Sequence, residues 1–154
     1  MDLLALLGCK NQALKQYWDL SVSFLAKIEE SDHEERRRIL ERETQRFHSE
    51  RETILSFIGF VDKRTQETVT FEWIEAQGGL TGETVRRLRE LETERIATVR
   101  EIVKLDEILI RRIEMENKIT QEQLSKTRRS KEALQSFKSD WAHSSGESFD
   151  EKAT

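Results

Sequence analysis

The residues that could act as nucleophiles, bases or metal ligands are few and scattered. His33 lies near a predicted helix start, His48 in a highly charged helix and His143 in the polar C-terminal stretch. None of them has the H-E-x-x-H spacing of a zinc site, and Cys9 has no second cysteine with which to form a disulfide or share a metal. Carboxylates are abundant, as on any solvated helix face. We therefore predict that the chain is not an enzyme and binds no cofactor or metal.

Two further patterns could contact phosphates. The glycine-rich run at 78–82 lacks the G-x-x-x-x-G-K-[ST] spacing of a phosphate loop and no strand precedes it, so it indicates a hinge or turn. Among the basic runs, Arg36–Arg38 is surrounded by acidic residues. Lys126–Lys131 has no acid inside it, but it has no interleaved aromatic residue for base stacking either. Charged helix surface explains both runs better than nucleic-acid binding.

The amino terminus needs a separate test, because 6–9 (Leu-Leu-Gly-Cys) resembles a lipoprotein cleavage box. A signal peptide needs a cationic start followed by roughly 7–15 apolar residues, whereas the chain begins with an acidic Asp2 and reaches Cys9 too early. No window approaches the ~20 apolar residues of a membrane span. We expect a soluble, cytoplasmic protein without a membrane partner.

Composition favours helices. The chain has 154 residues, of which 36% are charged, and it has no proline. A β-sandwich or α/β fold of this length without a turn proline would be unusual, whereas long helices need none. The net charge of −4 also lacks the basic footprint of a nucleic-acid binder. We predict an all-α fold, an elongated antiparallel helical bundle or coiled coil with a long C-terminal helix.

Apolar spacing places the first two helices at about 2–30 and 33–63. Ser31 and Asp32, each three residues before a glutamate, form a doubled capping-box pattern that separates them. The second helix repeats an apolar residue every seven positions, as a bundle seam does. The residues of the two stripes are Leu14, Trp18, Val22, Leu25 and Ile28, followed by Leu40, Phe47, Ile54 and Val61.

The remaining chain is predicted as a short helix at 66–77 and a long one at 83–138. Neither glycine nor proline interrupts 83–138, and 56 helical residues would reach ~80 Å. Such a helix exceeds a compact domain of this size, so it either bends near 117–120, where Thr120 could start a new turn, or projects. The helical bundle then covers 1–138, and the aperiodic stretch 139–154 is predicted to be a disordered polar tail.

The long helix resembles the final helix of flagellar export chaperones of the FlgN/FliT type. The residues that carry the resemblance are Lys104–Leu109, then Ile113, Ile119 and Leu124, then Arg129–Phe137. That helix commonly contains an aspartate and closes with a Lys-x-Ala-Leu-x-x-Tyr-like ending, where this chain has Phe137 for tyrosine. The resemblance covers roughly 10–138, and the longer connection through Trp73 and the glycine-rich turn departs from it.

The resemblance implies a chaperone that binds amphipathic C-terminal helices of hook-associated or filament-cap proteins before secretion, with the export apparatus as a further partner. The matching partner-binding positions are Ile102, Leu109, Ile113, Leu124, Leu134 and Phe137. The alternative is a structural coiled-coil or adaptor protein that acts through helix-mediated homodimerisation, which Leu109→Asp or Ile113→Asp should disrupt. A third alternative, nucleic-acid contact through Lys126–Lys131, is not favoured.

Overall fold

A computed structural model describes residues 2–69 and 81–150, with side chains described up to residue 143, and these residues form three α-helices and no strand. The helices are α1 (Leu3–Glu30), α2 (His33–Thr68) and α3 (Gly82–Asp150). The predicted all-α class is confirmed. The chain divides into two compact units, Met1–Arg111 and Arg112–Thr154.

In the first unit, α1 and α2 form a helical hairpin with only Ser31 and Asp32 between them. The Oδ1 atom of Asp32 accepts a hydrogen bond of 2.9 Å from the backbone N–H of Glu35, which caps α2 as the sequence predicts. Arg36 donates to the carbonyl oxygens of Ile28, at 2.7 Å, and Ser31, at 2.8 Å. These bonds satisfy carbonyls that the end of α1 leaves unpaired, and they hold the turn tight.

Contacts along the hairpin show that its helices are antiparallel. Lys10 Nζ lies 2.5 Å from Asp62 Oδ1 near the start of α1, whereas Phe24 stacks on Phe47 further along, with ring centroids 4.1 Å apart. As the residue number rises along α1, it falls along α2. A connection of two residues leaves the chain no other way to pack the second helix on the first.

The first part of α3 packs on this hairpin and runs parallel to α1. Asn11 Nδ2 donates to the backbone oxygen of Leu91 at 2.9 Å, and the Tyr17 hydroxyl lies 3.3 Å from Asp106 Oδ2. All three helices contribute to the buried core. Its central cluster is Ala13, Leu14, Tyr17, Ile58 and Ile102, with Trp18 and Ile54 packed against it.

Two predicted boundaries differ from those of the structure. Helix α2 continues to Thr68 instead of ending at 63, so it includes the start of the short helix predicted at 66–77. The rest of that predicted helix, from residue 70 onward, lies outside the described residues, as does the turn at 78–80. Helix α3 continues to Asp150, so 139–150 are helical where the sequence analysis predicted a disordered tail. Residues 117–120, the predicted bend, are α-helical throughout.

Candidate protein-binding site

The structure distributes the six predicted partner-binding residues between core and surface. Ile102 and Leu109 are buried in the first unit, and Ile102 belongs to the central cluster with Leu14 and Ile58. Their side chains already pack against this chain's own helices. They therefore maintain the three-helix core, and a client could reach them only by displacing a helix.

The other four residues lie in the second unit. Ile113 is half-buried, whereas Leu124, Leu134 and Phe137 are exposed. Leu124 lies about 80° around the helix axis from Leu134 at 3.6 residues per turn, so these two side chains point in different directions. Leu134 and Phe137, three residues apart, are exposed neighbours on one side of the helix.

Trp141 completes this surface. It follows Leu134 by seven residues, which places Leu134, Phe137 and Trp141 within an arc of about 60°. The three side chains have exposed fractions between 59% and 69%. We call these three residues the C-terminal apolar face. The sequence analysis missed Trp141 because it placed this residue in a disordered tail. A helix predicted to continue through 141 would have shown the i, i+3, i+7 spacing of Leu134, Phe137 and Trp141.

The charge around the C-terminal apolar face is mainly positive. Five cationic and two anionic side chains lie between 124 and 141. Lys131 and Lys138, seven residues apart, border the apolar face on the side of Leu134, about 40–60° from it around the axis. Within this described stretch the one ion pair joins Arg128 to Glu132, at 3.2 Å. An apolar strip with a basic edge fits a partner helix whose apolar stripe has an acidic flank.

A separate polar cluster holds α3 on the hairpin in the first unit. Arg51 on α2 donates to Asp106 Oδ2 at 2.7 Å and to the Tyr17 hydroxyl. Its guanidinium also lies over the Tyr17 ring, 4.5 Å from the centroid. Because the cluster takes one residue from each helix, it favours one register of α3 on the hairpin.

Other features of the described residues offer little chemistry. A shallow groove of about 390 Å³ on the hairpin is lined by Cys9, Ala13, Ile54 and Phe57 together with neutral polar side chains, so it has no acid or base beside the thiol. Among residues 2–69 and 81–143, no group of three or more His, Cys, Asp or Glu side chains could hold a metal ion. No helix in the described part of the chain is long and apolar enough to cross a membrane.

Comparison with known proteins gave no match: no protein-family model, no curated protein and no solved structure resembles the chain significantly.

Proposed function

We propose that the chain is a cytoplasmic export chaperone that binds amphipathic C-terminal helices of flagellar hook-associated or filament-cap proteins before their secretion. The observation that carries the proposal is the C-terminal apolar face, because large apolar side chains grouped on one side of an exposed helix mark interaction surfaces. The resemblance of 104–137 to the final helix of the FlgN/FliT chaperones supplies the class of client. Covering the client's apolar stripe would keep it from assembling early.

The chemistry of the face suits a helical client. Phe137 and Trp141 are the kinds of side chain that most often anchor protein interfaces, and Lys131 and Lys138 add an attractive edge for acidic residues. Burying the exposed surface of these three apolar side chains would contribute about 4 kcal/mol to the binding free energy before the cost of association. Binding through this face alone is therefore weak, and it suits a complex that must release its client at the export apparatus.

The experiment is isothermal titration calorimetry with peptides that span the C-terminal helices of flagellar hook-associated and cap proteins. Phe137→Asp should weaken binding at least about tenfold, because it places a charge in the middle of the C-terminal apolar face, which the bound peptide would bury. Ser136→Asp is the matched control: it adds the same charge one residue away but points about 100° from Phe137, and it should leave affinity unchanged.

Two results would refute the proposal. One is the absence of binding to every such peptide by the unmodified chain. The other is equal affinity in Phe137→Asp and Ser136→Asp, which would place any binding elsewhere on the protein. Circular dichroism of both variants checks that α3 remains helical, as expected for substitutions at exposed positions.

The alternative function, a structural protein acting through helix-mediated dimerisation, is favoured by different residues. Ile96, Val103 and Ile110 in the first unit are exposed at seven-residue intervals along α3. The substitution Leu109→Asp does not test this alternative, because Leu109 is buried and a charge there would disrupt the core. Substitutions in the exposed row do test it.

A further inference from the structure

Within the first unit, α3 carries a second apolar row beside the one that packs on the hairpin. Its members are Ile96, Val99, Val103 and Ile110, which we call the outer row. They fall within an arc of about 60° on the helix, yet each is 39–56% exposed. The core-facing row of the same helix, which includes Leu91, Ile102 and Leu109, is buried.

The spacing of the outer row is that of a helix–helix seam. Ile96, Val103 and Ile110 are seven residues apart, and Val99 lies three residues after the first, as a and d positions do in a heptad. The next d position is Asp106, which pairs with Arg51 on the hairpin. All four are β-branched, so their side chains have little rotamer freedom to lose on packing. Apolar residues scattered singly over a surface need no partner, whereas a seam of this regularity is typical of pairing with another helix.

Two unpaired charges border the outer row. Arg100 and Glu107, also seven residues apart, lie along its solvent edge and are exposed, and neither makes an ion pair in the part of the chain that the structure describes. Neighbouring charges on α3 do pair along the helix, for example Lys104 with Glu101 at 2.7 Å. The edge of the row thus offers one positive and one negative group to an incoming helix.

The partner that matches this pattern is a second copy of the chain in antiparallel orientation. With a two-fold axis beside residues 103–105, Val99 would face Ile110 of the second copy, and Arg100 would face Glu107 of the second copy. The symmetry repeats each contact, so two attractive charge pairs form. A parallel pair would instead place Arg100 beside Arg95 of the other chain, because e and g positions meet in that arrangement.

We propose that two copies of the chain associate through the outer row of α3 as an antiparallel dimer held in register by two Arg100–Glu107 ion pairs. This interface lies in the first unit and uses none of the residues of the C-terminal apolar face. It depends neither on the proposed export function nor on a client.

The test is sedimentation equilibrium of the unmodified full chain and five variants. The unmodified chain should show a concentration-dependent dimer. The dimer dissociation constant should rise at least about tenfold in Val103→Asp, because this change buries a charge in the seam. It should rise as much in Arg100→Glu and in Glu107→Arg, because each of these places two like charges opposite each other. Arg100→Glu and Glu107→Arg combined in one chain should restore the dimer. An Arg86→Glu control on α3, outside the row, should leave association unchanged.

Mixing the two single charge variants tests the orientation. An equimolar mixture of Arg100→Glu and Glu107→Arg should form heterodimers, because each cross-pair then joins opposite charges, whereas each variant alone is repelled by itself. An unmodified chain that stays monomeric to about 1 mM, the weakest association worth considering, would overturn the proposal. So would a dimer that is insensitive to Val103→Asp, or a mixture that stays as monomeric as its components. The charge variants replace exposed side chains, so loss of fold is not a competing explanation.

Discussion

Removing the Asp106 carboxylate should destabilise the three-helix unit by about 2 kcal/mol. Asp106 and Arg51 pair at 2.7 Å with exposed side-chain fractions of only 26% and 17%. Deleting one partner of a fully buried pair costs about 3–5 kcal/mol, because the other charge stays buried alone. The residual exposure of both side chains lowers this cost. The cost is lowered further because Asp106→Ala also removes Oδ1, a buried atom that has no hydrogen-bond partner in the described part of the chain.

The measurement is urea unfolding of Asp106→Ala followed by far-ultraviolet circular dichroism. Glu50→Ala is the matched control, because Glu50 and Arg46 pair at a similar 2.8 Å but have exposed fractions of 42% and 82%. That loss should be below about 0.5 kcal/mol. In thermal unfolding, a loss of 2 kcal/mol corresponds to a Tm lower by about 4–8 °C for a chain of this length.

A double variant tests the cause. Arg51→Met combined with Asp106→Leu removes both charges and leaves apolar side chains in their place, so its stability should return to within about 1 kcal/mol of the unmodified chain. Equal losses in Asp106→Ala and Glu50→Ala would refute the claim that burial makes this pair costly to break. A double variant as unstable as the sum of its single variants would refute it as well.

Three smaller predictions follow from other contacts. Asp32→Ala removes the cap of α2 and should lower the free energy of unfolding by about 1 kcal/mol, measured by urea unfolding. Leu109→Ala should cost about 2–5 kcal/mol and Leu134→Ala below about 0.5 kcal/mol in the same assay, since only the first side chain is buried; equal losses would contradict their assigned places. A hydrogen bond from Arg95 lowers the pKa of the exposed Glu92, so this pair stabilises the fold above the carboxyl's ordinary pKa and less so as the pH falls through the lowered value. Glu92→Gln should therefore cost about 0.3 kcal/mol at pH 7 and nothing in strong acid, and a loss that persists in acid would contradict this origin.

The first two helices could be predicted closely because local signals define them. The start of α2 follows from the Asp32 cap, which acts through a single bond to a backbone N–H three residues later. The end of α2 could not be predicted in this way, since the residues after 63 carry no apolar periodicity. The helix continues there with local support such as the Arg64–Glu67 ion pair, at 3.3 Å. Weak interactions of this kind leave little trace in a sequence pattern.

The candidate site was harder to predict because α3 has apolar residues on more than one side. The resemblance placed Ile102 and Leu109 among the partner-binding residues, although the hairpin covers both, and helical spacing did not reveal this. It did not distinguish that row from the exposed residues Val99 and Val103. Which row is covered depends on the angle at which a helix docks, and this is a tertiary property. Periodicity identifies an apolar side of a helix but not its partner.

The tight connection at Ser31–Asp32 also bears on how the protein folds. Its two helices need to close only a short loop, so the hairpin can form early, whereas α3 must be recruited across a long stretch of chain. During synthesis, residues 3–68 leave the ribosome before α3 exists. In that interval Ile58 and Leu14 have no α3 to complete their cluster, and Arg51 has no carboxylate from Asp106. The nascent hairpin therefore exposes apolar residues that α3 covers in the folded protein.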